Sequence, residues 1–394
     1  MQSPASNSSV PRAVILGAGY AGLSVAKTIH RHAAGRIEAV LVDRSPDHVL
    51  RTELYQVDEM AHARGNRRRW ALPIAEVLGG KTARFVQGAV TGIDLSSKTV
   101  RLETETLAFD YLVICLGSVP SYFGIPGAKE LAQEVYSLSG AERLAARMVD
   151  AERSAGKAAG NPRPRVVVVG GGSTGTEVAA EVATADWKSI ADPAAPPPQV
   201  LLLTGPMPLL QGFPEPLIRH SRELLEHSGI AIREDTPVAR VDPGRITLKD
   251  ASTVEFDVCV WCAGVEAPPV VAQLPVEHGR GKRLKVTPNL ELPQHPGVFA
   301  VGDVIEYANP GSGVLVPGTA QAALAGAPVA GYNVVARHLG KRLKRFSYHE
   351  KGVVISLGIG KGVGRAGPVS LWGRPAYVLK SLVEAEYSLA VERG

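Results

Sequence analysis

Cysteine, aromatic residues and long apolar runs are scarce in this sequence of 394 residues. Three cysteines, an odd number, do not make the disulfide framework of a secreted domain, so the protein is predicted to occupy a reducing compartment. No run of about 18 consecutive apolar residues exists, so no membrane-spanning helix is predicted. The polar start MQSPASNSSV lacks the basic region and apolar core of a signal peptide, and it predicts a short disordered tail.

Positive charge exceeds negative charge only slightly, with a net charge of +5. This excess suits anionic surfaces or ligands. Aromatic residues make up 5% of the chain, and no basic motif is interleaved with them. Nucleic acid is therefore not a predicted partner.

A strand, a glycine turn and a helix follow one another near the start of the chain. The apolar run Arg12–Leu16 leads into GAGYAG and then into a helical pattern. Gly17 permits a tight turn, Gly19 lets backbone N–H groups approach a pyrophosphate, and Gly22 lets the helix pack on the strand. A second strand ends at Asp43, where a carboxylate accepts hydrogen bonds from a ribose. The pattern predicts a dinucleotide site, and a structural turn without nucleotide is the alternative.

The same pattern returns in the middle of the chain, with glycines at Gly170, Gly172 and Gly175 after the apolar run Arg165–Val169. Here the second strand ends at Thr204, so the acid that usually selects an unphosphorylated ribose is missing. The following residues GPMP supply no arginine for a 2′-phosphate either. NADH is the expected ligand, NADPH stays open, and a second site without nucleotide is the alternative.

Two such units in one chain suggest two dinucleotides face to face, and two further motifs fit a flavin. GVFAVGD ends in Gly302 and Asp303, and the strand pattern DYLVICLGS ends in Gly117 and Ser118. Motifs in this order resemble the FAD-dependent two-dinucleotide-binding flavoproteins of the pyridine nucleotide-disulfide oxidoreductase superfamily. The resemblance implies non-covalent FAD, with Asp303 on its ribityl chain, and a diffusible nicotinamide nucleotide.

The stretch DVCVWCAGV places Cys259 and Cys262 in a C-x-x-C spacing that can mark a redox disulfide. In a strand, three residues separate the two Cα atoms by roughly 10 Å on opposite faces, beyond the disulfide limit of about 7 Å. Together with Cys115 they are predicted to be small buried apolar residues. The flavin-side loop Asp47–Gln56 contains no cysteine, which argues against the disulfide reductases of the superfamily. The same lack of usable sulfur argues against its sulfide:quinone oxidoreductases.

Within the superfamily the chain resembles the type II NADH dehydrogenases. The similar segments are TELYQ from Thr52, the second glycine motif GGGSTGTEVAAE, and FSYHEKGVV from Phe346, which resembles the strand that opens their C-terminal domain. The resemblance implies hydride transfer from NADH to FAD, followed by transfer of two electrons to a membrane quinone without proton pumping.

The resemblance also implies three residues at the reaction site. Glu177 is predicted in the first turn of a helix, bordering the nicotinamide and quinone sides of the flavin, with helix stabilisation as the alternative. Glu181, one turn later, either assists or is solvated. Gln321 matches the first glutamine of a flavin-facing A-Q-x-A-x-Q helix, or is an ordinary exposed residue; the second glutamine is Ala325 here, which indicates an altered acceptor pocket. Lys380 matches a C-terminal lysine near the quinone.

The glycine patterns and the resemblance together assign the cofactor-binding residues. Those assigned to FAD are Gly17, Gly19, Tyr20, Ala21, Gly22, Asp43, Arg44, Thr52, Gly117, Gly302, Asp303 and Ala320. Those assigned to the nicotinamide nucleotide are Gly170, Gly172, Thr174, Gly175, Ala263 and Gly264. No metal site is predicted.

A membrane quinone requires contact with a membrane, and the segment Ser370–Val383 has the composition for it. An apolar stripe and basic flanks are formed by Trp372, Leu379, Leu382 and Val383 with Arg374 and Lys380. This predicts a helix lying in the membrane surface, and packing on its own domain or on a dimer partner is the alternative. The run Arg67–Arg69 either contacts anionic lipid or forms a solvated loop.

The predicted fold class is α/β, with two Rossmann-like dinucleotide-binding domains and a small α+β C-terminal domain. The FAD domain is expected at residues 1–118 and 265–330, the NAD(P)H domain at 119–264, and a C-terminal membrane-association and dimerisation domain at 331–394. Ala151–Pro164 and Asp192–Pro198 are predicted loops. The expected protein is a homodimeric peripheral enzyme on the cytoplasmic face of the cell membrane. A soluble NAD(P)H-dependent reductase with another acceptor, and a flavin-loaded redox sensor resembling apoptosis-inducing factor, stay open.

Overall fold

The computed structural model describes residues 10–63, 65–80, 82–158, 160, 162–191, 194 and 196–393, with the backbone alone for 390–393. The predicted tail at residues 1–9 lies outside this range. Two parallel sheets of nucleotide-binding type and a small antiparallel sheet with one long helix confirm the predicted α/β class. Across these residues, no helix combines the length and the apolar character needed to cross a membrane.

The first nucleotide-binding unit starts on a parallel sheet. Its elements are β1 (Arg12–Leu16), α1 (Tyr20–Ala33), β2 (Glu38–Asp43), β3 (Asp47–Val49), a 3₁₀ turn (Arg51–Glu53), α2 (Val57–His62), β4 (Ala71–Pro73), α3 (Ile74–Leu78), β5 (Arg84–Gln87), β6 (Val90–Asp94), β7 (Thr99–Leu102), β8 (Thr106–Ala108), β9 (Tyr111–Ile114) and β10 (Val119–Pro120). β1 pairs in parallel with both β2 and β9. Its unbroken apolar sequence suits a strand buried on both faces.

The second unit repeats this plan. Its elements are α4 (Ala128–Leu131), α5 (Leu138–Lys157), β11 (Arg165–Val169), α6 (Ser173–Thr184), α7 (Trp187–Ile190), β12 (Gln199–Leu203), α8 (Glu215–His227), β13 (Ala231–Arg233), β14 (Val238–Asp242), β15 (Arg245–Leu248), β16 (Thr253–Glu255), β17 (Val258–Trp261) and β18 (Val265–Glu266). The parallel sheet has the order β13-β12-β11-β17. The predicted loop Ala151–Pro164 is wrong over its first half, because α5 continues to Lys157 through mostly helix-favouring residues.

The last part of the chain completes the first sheet and adds a C-terminal unit. Its elements are α9 (Pro269–Ala272), a 3₁₀ turn (Arg280–Lys282), β19 (Leu284–Lys285), β20 (Val298–Ala300), β21 (Ile305–Glu306), α10 (Ala320–His338), β22 (Gly352–Ser356), β23 (Gly362–Ala366), β24 (Val369–Trp372) and α11 (Arg374–Arg393). β20 pairs with β9, so the first sheet has the order β20-β9-β1-β2-β5. α1 packs along α10, where a Cβ at Gly331 would lie only 2.8 Å from the Cβ of Thr28.

The junction between α10 and the C-terminal unit differs from the prediction. A boundary at residue 330 would cut α10, and we place it after His338 instead. The predicted strand over FSYHEKGVV is confirmed only from Gly352 onward, where β22 begins. The Tyr307 hydroxyl donates to the Phe346 carbonyl oxygen at 2.8 Å, which binds this segment to the first unit rather than to a strand ladder.

Helix α11 presents a different face from the predicted one. Trp372 belongs to β24, because the helix begins only after Gly373, and it stacks on His220 with ring centroids 4.5 Å apart. Leu379 and Val383 are half-buried. Leu382 is exposed as predicted, and the exposed apolar stripe of the helix consists of Val378, Leu382, Ala385 and Leu389.

Candidate active site

The first glycine turn joins β1 to α1. Gly17 has a φ of 98°, and a Cβ there would lie 2.5 Å from the carbonyl oxygen of Cys115. A Cβ at Gly22 would lie 1.7 Å from the carbonyl oxygen of Gly17, so neither position has room for a side chain. A Cβ at Gly19, in contrast, would meet no protein atom within 4 Å. The turn therefore closes tightly on the sheet and leaves open space in front of the α1 N-terminus.

The second glycine turn, between β11 and α6, repeats this geometry. A Cβ at Gly170 would lie 2.3 Å from the carbonyl oxygen of Cys262, and one at Gly175 would lie 1.8 Å from that of Gly170. Gly172 again faces open space. Neither α1 nor α6 has a side-chain N-cap or an acid in its first turn. Both helix N-termini thus offer free N–H groups and the positive end of a dipole, which fit a pyrophosphate.

Cys115 and Cys262 occupy equivalent positions, each following a strand and each placing its carbonyl against the first glycine of its unit. Both thiols are buried, and burial raises their pKa. Burial likewise raises the pKa of Cys259 to about 12. All three cysteines are free and buried, as predicted, and their thiols stay protonated near neutral pH.

Asp43 and Thr204 stand at matching positions beside the two glycine turns. Asp43 accepts hydrogen bonds from the Ala18 amide at 2.7 Å and the Ser45 amide at 2.9 Å. Its carboxylate therefore fixes the turn, and its remaining lone pairs can still accept ribose hydroxyls. Thr204 is buried, and a Cβ at Gly171 would lie 2.8 Å from its Cγ2, so this residue fills the equivalent place by packing.

Several other predicted cofactor residues line the ends of the first sheet. The Tyr20 hydroxyl lies 3.0 Å from Thr52 Oγ1, and burial raises the Tyr20 pKa to about 12. Ala21 is buried in the same turn, while Arg44 is exposed beside Asp43 and Ala320 begins α10.

Ser118 joins the late Gly-Asp motif to the first unit. Its hydroxyl donates to Asp303 Oδ2 at 3.0 Å, and Gly302, with a φ of 88°, turns the chain into this contact. Arg51 donates to the carbonyl oxygens of Ser118 and Tyr136, each at 3.0 Å. These hydrogen bonds connect residues that are far apart in the sequence.

In the second unit, Ala263 and Gly264 follow β17 and lie beside the second glycine turn. Gly264 has a φ of 149°, and its carbonyl oxygen accepts a hydrogen bond from the Ser121 amide at 3.0 Å. This contact lies beside the antiparallel pair of β10 and β18, which connects the two units. The Tyr136 side chain forms a hydrogen bond with Thr174 at the start of α6. Hydrogen bonds thus link the two units close to the second glycine turn.

A cluster of ionisable side chains, here called the buried ion cluster, consists of Tyr55, Glu177, Lys380 and Glu384. Lys380 Nζ lies 2.9 Å from Glu177 Oε1 and 3.4 Å from Glu384 Oε1. The Tyr55 hydroxyl donates to Glu384 Oε1 at 3.1 Å, and the Ser356 amide donates to Glu177 Oε1 at 3.2 Å. The cluster therefore brings together the first unit, α6 of the second unit, and the C-terminal unit.

The charges in the buried ion cluster favour the protonated forms of its side chains. Burial alone would lower the pKa of Lys380, but the carboxylates of Glu177 and Glu384 outweigh it and raise that pKa. Burial also raises the pKa of Glu384, although the Lys380 ammonium opposes it. Since two carboxylates share one ammonium, the cluster is an electrostatically favourable place for a further proton.

Two more buried glutamates adjoin this cluster. Burial and a hydrogen bond with Asp58 raise the pKa of Glu181 to about 10, so the solvated alternative for Glu181 is wrong. Burial and the charge of Glu384 raise the pKa of Glu53 to about 7. Glu177 lies in the second turn of α6 rather than in the first, because the helix begins at Ser173.

The raised pKa of Glu53 predicts a pH-dependent effect of Glu53→Gln. Glu53 has a pKa of about 7 in the folded protein, above its ordinary value of 4.5, so the stability that its protonated form contributes is lost as pH rises through about 7. Glutamine cannot ionise. We expect the free energy of unfolding of the variant to exceed that of the parent by about 1–3 kcal/mol at pH 8, seen as a higher urea midpoint. At pH 4.5 the two proteins should have the same midpoint.

The exposed Glu103→Gln provides the matched control and should leave the midpoint unchanged at both pH values. An equal shift of Glu53→Gln at pH 4.5 and pH 8 would show that Glu53 does not titrate in this way.

Gln321 lies outside the buried ion cluster. Its Oε1 accepts from the Tyr348 hydroxyl and from the Lys351 amide, both at 2.9 Å, and its Nε2 donates to the Gly352 carbonyl at 3.3 Å. It is half-buried, so the alternative of an ordinary exposed residue is wrong. Its amide ties α10 to the segment that leads into β22.

The structure therefore brings Glu177 and Lys380 into contact and leaves Gln321 elsewhere. Tyr55 and Glu384 were missing from the predicted site residues. Glu384 had a signal in the sequence, since it follows Lys380 by one helical turn and can pair with it.

Known proteins resemble this chain in sequence and in fold. The sequence profile of the pyridine nucleotide-disulphide oxidoreductase family matches residues 11–327. The type II NADH:quinone oxidoreductase Ndh of Mycobacterium tuberculosis is 29% identical over 404 aligned positions, covering 95% of this chain and 84% of that protein. The demethylphylloquinone reductase NdbB of Synechocystis sp. is 27% identical over 402 positions, covering 97% of this chain and 94% of that protein.

Among solved structures, NDH2 from Plasmodium falciparum in complex with NADH shares the fold, with a TM-score of 0.82 at 16% identity, covering 96% of this chain and 94% of that one. The predicted resemblance to the type II NADH dehydrogenases is confirmed by the sequence similarity to Ndh. The extent of the sequence match shows that the chain belongs to the pyridine nucleotide-disulphide oxidoreductase family.

Proposed function

We propose that this protein is an FAD-dependent NADH:quinone oxidoreductase that does not pump protons. The observation that carries the proposal is the pair of matched glycine turns, each leaving open space before a helix N-terminus. The three buried cysteines offer no reactive thiol for a disulfide relay. Relatives named for reactions with NADH and quinones overlap nearly the whole chain and support the same activity.

The residues of each turn suit a different nucleotide. Family membership implies a flavin and a pyridine nucleotide. FAD would be held non-covalently by Gly17, Gly19, Gly22, Asp43, Thr52, Gly117, Gly302 and Asp303. NADH would be held by Gly170, Gly172, Thr174, Gly175, Ala263 and Gly264, and the uncharged Thr204 leaves NADPH open. When bound, FAD supplies the redox chemistry, taking a hydride from NADH and passing two electrons on.

The protein's own contribution is to hold protons and to position the ligands. Reduction of a quinone to a quinol consumes two protons. Lys380 carries a proton on Nζ over a wide pH range, and Glu177 Oε1 lies 2.9 Å from this nitrogen, so the two side chains can pass a proton between them. We assign proton delivery to Lys380 and Glu177, with Tyr55 and Glu384 as positioning residues.

We also propose a homodimer that attaches peripherally to the cytoplasmic face of the cell membrane. The exposed apolar stripe of α11, with Val378, Leu382, Ala385 and Leu389, supports an apolar contact of this kind.

A second candidate is a soluble NAD(P)H-dependent reductase that passes electrons to another acceptor. The contacts of Gln321 favour it, because the amide points to Tyr348 and the backbone before β22, and Ala325 offers no second amide.

Steady-state oxidation of NADH by the purified flavoprotein separates the two candidates. A water-soluble quinone analogue, oxygen and ferricyanide are compared as acceptors. We expect fast turnover with the quinone analogue and slow turnover with oxygen. Fast turnover with ferricyanide and none with the quinone analogue would support the second candidate.

A further inference from the structure

Two stretches of the chain without acidic residues meet on one side of the molecule. No Asp or Glu lies between Pro11 and Ile37, or between Tyr307 and His349. These stretches contain α1 and α10, which pack along one another. Neither stretch therefore supplies an acidic side chain to this side of the molecule, which favours anions there.

A cavity of about 340 Å³, here called the α1–α10 cavity, opens between the two helices. Its apolar wall is formed by Tyr20, Leu23, Leu324, Pro328, Tyr332 and Tyr387. The rings of Tyr20 and Tyr387 lie 6.0 Å apart and close one side of it. Most of its wall is apolar, which suits a hydrocarbon chain.

The remaining wall of this cavity is basic. Lys27, Arg31, His32 and Lys344 line it, and none of the lining residues is acidic. Lys344 Nζ lies 4.1 Å from the centre of the Tyr332 ring, and His32 packs edge-on to the same ring with centroids 5.8 Å apart. Tyr332 thus packs against both Lys344 and His32, which places the two basic side chains on the same wall of the cavity.

The basic run Arg67–Arg69 of the first unit differs from this wall because its positive charges are paired with acidic side chains. Arg67, Arg68 and Arg69 each form an ion pair with a glutamate, the partners being Glu142, Glu76 and Glu59. Their charge is therefore compensated locally.

We propose that the α1–α10 cavity binds an anionic phospholipid. The phosphate lies between Arg31, His32 and Lys344, and the start of an acyl chain lies along Leu23, Leu324 and Pro328. An anionic amphiphile matches both halves of the cavity, whereas a free phosphate leaves the apolar wall unused and a neutral lipid offers no anion to the basic side chains. The proposal does not depend on the electron acceptor, so its failure would leave the proposed function standing.

The test uses the flavin-loaded protein and short-chain phosphatidylglycerol below its micelle concentration, followed by isothermal titration calorimetry. Short-chain phosphatidylcholine and inorganic phosphate are the comparison ligands. We expect saturable binding of phosphatidylglycerol only, and the double variant Arg31→Glu/Lys344→Glu should weaken it by about tenfold or more, since each cation contributes about fivefold. Ser24→Phe, which fills the cavity without changing charge, should also abolish it.

The control is Lys129→Glu/Lys249→Glu, which makes the same change in net charge at exposed sites elsewhere and should bind like the parent. Equal affinity for phosphatidylcholine, equal affinity for phosphate, or no binding of phosphatidylglycerol would each overturn the proposal. Displacement of the lipid by a neutral quinone analogue would also overturn it, because the cavity would then be an acceptor site.

Discussion

Gly22→Ala yields protein without bound flavin. The added Cβ would lie 1.7 Å from the carbonyl oxygen of Gly17, and backbone atoms on both sides cannot move apart without opening the turn. The α1 N-terminus then leaves its place in front of the pyrophosphate. We expect flavin affinity to fall by at least about 100-fold, or about 2.7 kcal/mol, measured as the ratio of flavin to protein absorbance after purification and by titration with FAD.

The second unit offers the matched variant. Gly175→Ala creates the same collision, at 1.8 Å from the Gly170 carbonyl oxygen, but in the other turn. It should keep its flavin and lose NADH binding. Gly19→Ala is the milder control, since its Cβ meets no protein atom within 4 Å and only narrows the space for the ligand. Loss of flavin from Gly175→Ala, with retention in Gly22→Ala, would reverse the assignment of the two units.

Lys380→Met destabilises the protein by about 3–5 kcal/mol, because it leaves Glu177 and Glu384 buried without their ammonium partner. Without the ammonium group, both carboxyl groups favour their neutral, protonated form. Stability should therefore be recovered as pH falls toward 5 and be lost as pH rises, the direction expected for acids whose folded pKa is raised. Thermal and urea unfolding at pH 5 and pH 8 measure the effect.

The triple variant Glu177→Gln/Lys380→Met/Glu384→Gln removes all of these charges and should regain most of the lost stability. Its quinone reductase activity should stay low, which separates the structural role of the cluster from its role in proton delivery. A cost below about 1 kcal/mol for Lys380→Met alone would indicate that the cluster is hydrated.

The nucleotide-binding units were predictable from the sequence because their signals are local. A continuous apolar run, three glycines at fixed spacing and a helical pattern determine a strand, a turn and a helix without reference to distant residues. The structure places β1 at Arg12–Leu16 and β11 at Arg165–Val169, the same residues that the sequence indicates. The sterically required glycines, Gly17 and Gly22, follow from the same local geometry.

The ionisable cluster was only partly predictable because it depends on packing between distant segments. Tyr55 and Glu384 are 329 residues apart in sequence, and only the docking of α11 brings them together. The face of α11 was assigned wrongly for a related reason. The sequence shows an apolar stripe but not how the helix docks on β22 and β23, which determines that Val378 faces solvent and Leu379 is half-buried.

An anaerobic stopped-flow experiment tests the central claim that this protein carries electrons from NADH to a quinone through a bound flavin. The oxidised yellow protein is first mixed with NADH, and a water-soluble quinone analogue is added after the flavin absorbance has fallen. The proposed function predicts rapid bleaching by NADH and rapid, complete recovery of the absorbance with the quinone. Rapid bleaching without recovery on addition of the quinone would contradict it.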